Sequence, residues 1–149
     1  MLDPTMSDTV FLRSIKKFFL DITTPENIPT FFDFVDKPPR VGTSLANKWI
    51  SVIPRSTTLG NLADHLFYVH LFSAQDNDQM KLAELRDFLI GNLLDLSQTD
   101  GRKRIPFYDA DWNVLYTGVI DPKKEVDFHR FDEGINMKTL PIMTYWGSR

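Results

Sequence analysis

The sequence predicts an α+β fold, a mainly antiparallel β-sheet with two helices packed on one face. Three observations lead there. Residues 64–73, DHLFYVHLFS, are rich in aromatic and branched side chains and hold no Gly or Pro, the composition of a long strand. The next stretch switches to helical spacing, with Leu82, Leu85, Leu89 and Leu93 on one stripe and Ala83, Phe88 and Leu94 widening it. Beyond that helix, several strand-like segments follow, separated by turn residues.

The central strand is apolar on both faces. His65, Phe67, Val69 and Leu71 share one, and Leu66, Tyr68, His70 and Phe72 the other. Each face therefore needs cover. The helix covers one. A two-layer fold leaves the second face for a partner, unless the sheet curls back and its own C-terminal strands cover it.

The elements follow in order. Residues 1–6 read as a tail. Ser7 or Asp8 caps a first helix to about Asp21, with Val10, Phe11, Ile15, Phe18, Phe19 and Ile22 on its apolar face, and Pro25 ends it. Residues 30–35, TFFDFV, form a short strand, stopped by Pro38 and Pro39. Residues 37–47 are a long polar loop, 48–53 a strand closed by Pro54, and 55–63 another connection. Asp76 or Asn77 caps the second helix, and Asp78 adds charge at its start. Residues 97–104 are a loop with the basic run Arg102, Lys103 and Arg104. Brief strands at 105–108, 113–120 and 126–131 follow, with turns at 109–111, 121–122 and 132–134. The last strand, 135–146, carries Pro141, which donates no backbone hydrogen bond and so predicts an edge or a bulge there.

The 149 residues suit one domain, 1–149, with 147–149 as a second short tail. Without cysteine, disulfides and thiolate metal sites are excluded. A net charge of -3, mixed along the chain, argues against a nucleic-acid coat. No apolar run approaches the roughly 20 residues of a membrane span, and the first ten residues lack the pattern of a secretory signal. With 12 Phe, 3 Trp and 4 Tyr there is aromatic surface for both a core and an interface.

Catalytic motifs are missing: no GxSxG, P-loop or GxGxxG occurs. His65, His70 and His129 have no metal-ligand spacing. A metal or acid-base site would require His129 to meet Asp109 or Asp111, which the turn already explains. Met137 and Met143 share a face with Thr139 and Tyr145 and read as core or interface filler. No catalytic residue, cofactor or metal ligand is expected.

The order of features resembles one family over about residues 8–146. An N-terminal helix and a short aromatic segment lead to Trp49-Ile50-Ser51-Val52. The text LFYVHLFSAQDNDQMKLAELRDFL supplies strand, polar break and helix, and a long closing strand ends the pattern. This is similar to the tail-terminator (tail-completion) proteins of tailed bacteriophages, whose fold also occurs in neck and tail tube proteins. The resemblance implies a virion structural protein, assembled in the host cytoplasm and located at the tail and neck. It would form a homo-oligomeric ring, usually a hexamer, that caps the tail tube protein and joins the neck or head-completion protein. DNA would only pass through the lumen, and no membrane is involved. Interface candidates are Phe67, Tyr68, Val69, Leu71 and Phe72 on the central strand, which are core or subunit interface, and Arg40, Arg55, Arg102, Lys103 and Arg104 on loops, the basic run facing a rim or the outer wall. The alternatives are another neck or tube component, a small His/Asp enzyme at His129, and a monomeric binding module.

Overall fold

The computed structural model describes residues 4–58, 62–123, 128–131 and 134–147. Helix α1 is Pro4–Thr23, followed by a 3-10 turn, Thr24–Glu26. Strands β1 (Thr30–Phe31), β2 (Arg40–Val41), β3 (Ser44–Leu45), β4 (Lys48–Thr58) and β5 (Leu62–Ala74) come next, then helix α2 (Met80–Leu93). Strands β6 (Lys103–Tyr108), β7 (Val114–Pro122), β8 (Phe128–Arg130) and β9 (Ile135–Gly147) complete the described elements.

Seven strands form one sheet in the order β1-β4-β5-β9-β7-β6, with β8 beside β9. Every pairing is antiparallel except β1 with β4. The predicted α+β class is therefore observed. Strand β5 is central and pairs β9 without interruption from Leu62↔Gly147 to Ala74↔Ile135.

Both helices lie on one face of this sheet. Val10, Phe11, Ile15 and Phe19 of α1 and Leu82, Leu85, Leu89 and Leu93 of α2 share a core with Ile50, Val52, Phe67, Val69, Leu71, Ile105, Phe107, Ile120, Leu140 and Ile142. The strand residues in that list alternate along each strand, as the pleat requires. Phe67, Val69 and Leu71 are fully buried there. Of the two roles expected for them, core or subunit interface, they take the core. Phe72 is also fully buried, on the other face, stacked on Trp49 at 5.2 Å.

Several boundaries differ from expectation, each for a local reason. Helix α1 starts at Pro4 rather than Ser7 or Asp8, since Pro is favourable in a first helical turn. It ends at Thr23, two residues before Pro25, close to the predicted stop, and the Thr23 hydroxyl returns to the Phe19 carbonyl at 2.8 Å. The strand predicted over residues 30–35 is only Thr30–Phe31. Beyond it the chain leaves the ladder. The Val35 N–H donates to the Ser51 hydroxyl, and the Val35 carbonyl accepts the Trp49 indole N–H at 2.7 Å. The loop 37–47 contains a small hairpin, β2 with β3, turned at Gly42 with φ +65.

Strand β4 runs through Pro54, predicted as its stop, to Thr58. Between Pro54 and Ser56 its register against β5 shifts, so a bulge absorbs the proline. The second helix begins at Met80, two residues after Asp78. Asp76 is nevertheless its capping group: its carboxylate accepts the N–H groups of Lys81 and Leu82, each at 3.0 Å. Lys103 and Arg104 lie on β6 rather than on a loop.

Pro141 produces no bulge against β5, where the ladder is continuous. It does mark an edge. Strand β9 pairs β8 over Asn136–Lys138 and β7 over Ile142–Tyr145, and Pro141 sits between these neighbours. Its carbonyl accepts the Lys123 N–H at 2.8 Å, on the side away from β5, so its missing donor falls in the gap. Residues 1–3 and 148–149 of the predicted tails, 126–127 of the alternating segment, and Asp132 and Glu133 of the last turn lie outside the described residues.

A candidate interaction face on the sheet

Among the described residues, the cover on the face opposite the helices is concentrated at one end. There Trp49, Phe72, Ala74 and Ile135 form a second small core with Phe31, Val35, Ala46, Phe131 and Met137 packed around it. Phe34 adds an edge-on contact to Phe72 at 5.6 Å and to His70 at 5.1 Å. His70 accepts or donates a hydrogen bond with the Thr139 hydroxyl at 2.8 Å. Burial, with a smaller push from the Arg55 guanidinium, holds its pKa below the ordinary histidine value, so the ring is neutral at pH 7.

Toward the other end no second core forms among the described residues. The registers Ile53↔Tyr68↔Pro141, Leu66↔Met143↔Asp121 and Tyr145↔Val119 set these side chains in rows on that face, and all are half-buried. The apolar stripe is Leu66, Tyr68, Pro141, Met143 and Tyr145. Charges rim it. The Arg55 guanidinium lies 4.8 Å over the Tyr68 ring, and the Lys123 ammonium 5.6 Å over Tyr145. Asp121 takes Lys123 at 2.6 Å and Arg102 at 3.4 Å. Hydrogen bonding to Asp121, and then to Tyr145, raises the Lys123 pKa above its usual value, so its charge is fixed. The centre of this face is thus aromatic and methionine, and its rim carries both signs of charge.

Of the predicted interface residues, Tyr68 and Arg55 fall within this face, and Arg102 on its rim. The basic run is not a free cation cluster. Arg104 pairs with Asp100 at 3.2 Å and Arg102 with Asp121, so two of its three charges are neutralised locally. Arg40 is elsewhere, exposed on the β2–β3 hairpin. Asp121 and Lys123 were not legible as site residues. Asp121 reads as a turn residue in sequence, and only the register Lys103↔Ile120 puts Arg102 opposite it.

His129 and the Asp109–Asp111 turn do not converge. His129 opposes Met137 near the start of β9, whereas the turn lies beyond Val119, which opposes Tyr145 near its end. At roughly 3.3 Å per residue, the strand between Met137 and Tyr145 alone separates them by over 20 Å. Asp109 is occupied by its own turn, accepting the N–H groups of Asp111 and Asn113 at 2.9 Å. Among the described residues no group of three or more His, Asp or Glu is placed to hold a metal, and no helix is long and apolar enough to cross a membrane. No protein-family model matches the chain, and neither does any curated protein.

Proposed function

We propose that this protein is a virion structural component of the tail-terminator type, a homo-oligomeric ring that caps a phage tail tube and joins it to the neck. The supporting observation is the half-buried stripe of Leu66, Tyr68, Pro141, Met143 and Tyr145, rimmed by Arg55, Arg102, Asp121 and Lys123, on the sheet face that neither helix covers. In this reading the stripe seats against the neighbouring protein along the tail axis, and contact by shape replaces chemistry. No catalytic residue, metal or cofactor is assigned. The resemblance in element order supplies the identity of the neighbours, tube on one side and neck on the other.

The test is the mass of the purified chain across concentration by light scattering, followed by negative-stain imaging with and without tail tubes. Rings of one size that bind tube ends and stop their growth are the expected result. Open tubes formed by the chain alone would reassign it as a tube component. Failure to bind tubes or neck protein at any concentration would sink the proposal.

A further inference from the structure

An opening into the main core lies at the outer edge of β4. Strand β1 pairs only Ile50 and Ser51, and the chain then leaves the ladder at Phe32. Among the described residues no strand borders Val52 or Pro54 on that side. The Ile50 N–H points away from β5, to the Pro29 carbonyl at 3.0 Å, and the pleat turns Pro54 the same way. Pro54 has no N–H to offer a further strand. Helix α1 overhangs this edge, and a cavity of about 210 Å³ lies beneath it. Its floor is Phe11, Ile15, Val52 and Phe67, each 2% exposed or less. Leu12, Lys16, Phe32 and Pro54 set its mouth.

Among these lining side chains only Lys16 is polar. Its ammonium lies 5.5 Å over the Phe32 ring, and no described carboxylate pairs with it. The groove on the far side of Lys16, which holds Leu20 and Trp112, differs. There Lys17 pairs with Asp21 at 2.7 Å, and Arg13 donates to the Tyr108 carbonyl at 3.2 Å. The other cations of that groove are thus already engaged. Apolar walls with one charged group at the rim are the pattern of a small-molecule site. Apolar cavities of roughly 150 Å³ take up benzene, so this one has room for one ring or about six carbons.

We propose that this cavity binds a small amphipathic monocarboxylate, an acid with one ring or a chain of about six carbons. The apolar part enters between α1 and β4 and packs on Phe11, Ile15, Val52 and Phe67. The carboxylate stays at the mouth and accepts a charge-assisted hydrogen bond from Lys16 Nζ. A bound acid bridges α1 and the edge of β4 and stabilises their packing. The site lies on the helix side of the sheet, opposite the Leu66–Tyr145 stripe, so it stands whether or not the chain forms a ring.

The test titrates hexanoate, hexan-1-ol and hexylammonium separately into the full chain, with Ile, Leu and Val methyl groups labelled for NMR. Millimolar binding is expected for a buried chain of this length. Hexanoate binds about two- to fivefold tighter than hexan-1-ol, the range of a partly exposed ion pair, and hexylammonium binds weakest. The methyls that shift are those of Leu12, Ile15 and Val52. Lys16→Gln, at an exposed position, lowers hexanoate to the affinity of the alcohol and leaves the alcohol unchanged. Leu12→Trp narrows the mouth and weakens all three. Equal affinities in the parent overturn the proposal, as does an unchanged hexanoate preference in Lys16→Gln. Undiminished binding in a folded Leu12→Trp chain overturns it as well. Shifts centred on Leu20 would put the acid in the Trp112 groove and overturn it too. So would the absence of any methyl shift at the solubility limit of the alcohol.

Discussion

Replacing Asp76 by alanine isolates the cap that joins the central strand to helix α2. The residue is 4% exposed, and its two carboxylate oxygens accept the first-turn N–H groups of Lys81 and Leu82 at 3.0 Å each. Gln79, at the formal cap position, has φ 62 and offers no side-chain bond, so nothing else takes these donors. Loss of a cap costs about 1–2 kcal/mol. Leaving the buried Leu82 N–H unmatched adds about 1 kcal/mol. The sum, about 2–3 kcal/mol, corresponds to a fall in Tm of roughly 6–10 °C for a chain of this size. The Asp76 carbonyl still accepts Asn136 Nδ2 at 2.8 Å, so the link to β9 survives the substitution. Asp78→Ala is the control. Its side chain is exposed and accepts one bond, from the Met80 N–H at 3.1 Å, and its loss costs about 0.5 kcal/mol or less. Urea unfolding and calorimetry at pH 7 measure both. If Asp76→Ala and Asp78→Ala agree within about 0.5 kcal/mol, the capping argument is wrong. A pH series gives a second check. Burial opposes the Asp76 charge, but the N–H groups of Lys81 and Leu82 outweigh it, and its pKa lies below the usual carboxylate value. With the folded value lower than the unfolded one, the stabilisation is present above about pH 4 and is lost as pH falls through the folded pKa. The gap between the parent and Asp76→Asn should therefore close in acid.

Other positions give sharp expectations. At Gly118 an added Cβ would lie 2.2 Å from the Phe107 ring and 2.9 Å from the Tyr145 carbonyl, so Gly118→Ala should cost about 2–3 kcal/mol, with part of the loss recovered in Phe107→Leu. Burial, partly offset by the Asp8 carboxylate, pushes His65 down to about 4. A histidine buried neutral stabilises least in acid, so between about pH 6.5 and 4 the parent should lose up to about 3 kcal/mol relative to His65→Phe, read as the pH slope of the urea midpoint. A flat difference across that window would refute the burial argument. Neighbours on opposite faces should separate: Phe67→Ala costs about 3–5 kcal/mol of stability, while Tyr68→Ala costs far less and instead weakens ring or tube association in light scattering.

Much of the fold is legible in the residues. The ten-residue run around Tyr68 and the leucines of α2 carry strong periodic signals, and both elements lie where the pattern puts them. Pro25 is good punctuation, because a proline without a compensating device ends an element, and α1 stops at Thr23. Pro38 and Pro39, expected to stop a strand over 30–35, end nothing, since that strand is already over at Phe31. Pro54 and Pro141 are also poor punctuation. Each sits in a strand, one at a bulge and one at a gap between neighbours, and those devices depend on partners far along the chain. The loop 32–35 shows the same limit: its aromatic residues suit a strand, yet Ser51 and Trp49 take the backbone groups of Val35. For the candidate face, alternation reveals Tyr68, Met143 and Tyr145. The Arg102–Asp121–Lys123 rim is set by sheet register, which the local sequence does not specify.

The pairing of β5 with β9 bears on how the chain is made. Strand β9 leaves the ribosome after every other described strand, yet it occupies the middle of the sheet, hydrogen-bonded to β5 along its whole length. Even the pair nearest in sequence, Ala74 and Ile135, is separated by all of α2, β6, β7 and β8. During synthesis β5 therefore waits with one edge open and Leu66 to Phe72 ready to pair with any other strand, including the same segment of another nascent chain. A topology so dominated by distant contacts folds slowly. Yield of this protein in a foreign host should accordingly depend on translation rate and chaperone supply more than on the stability of the finished fold.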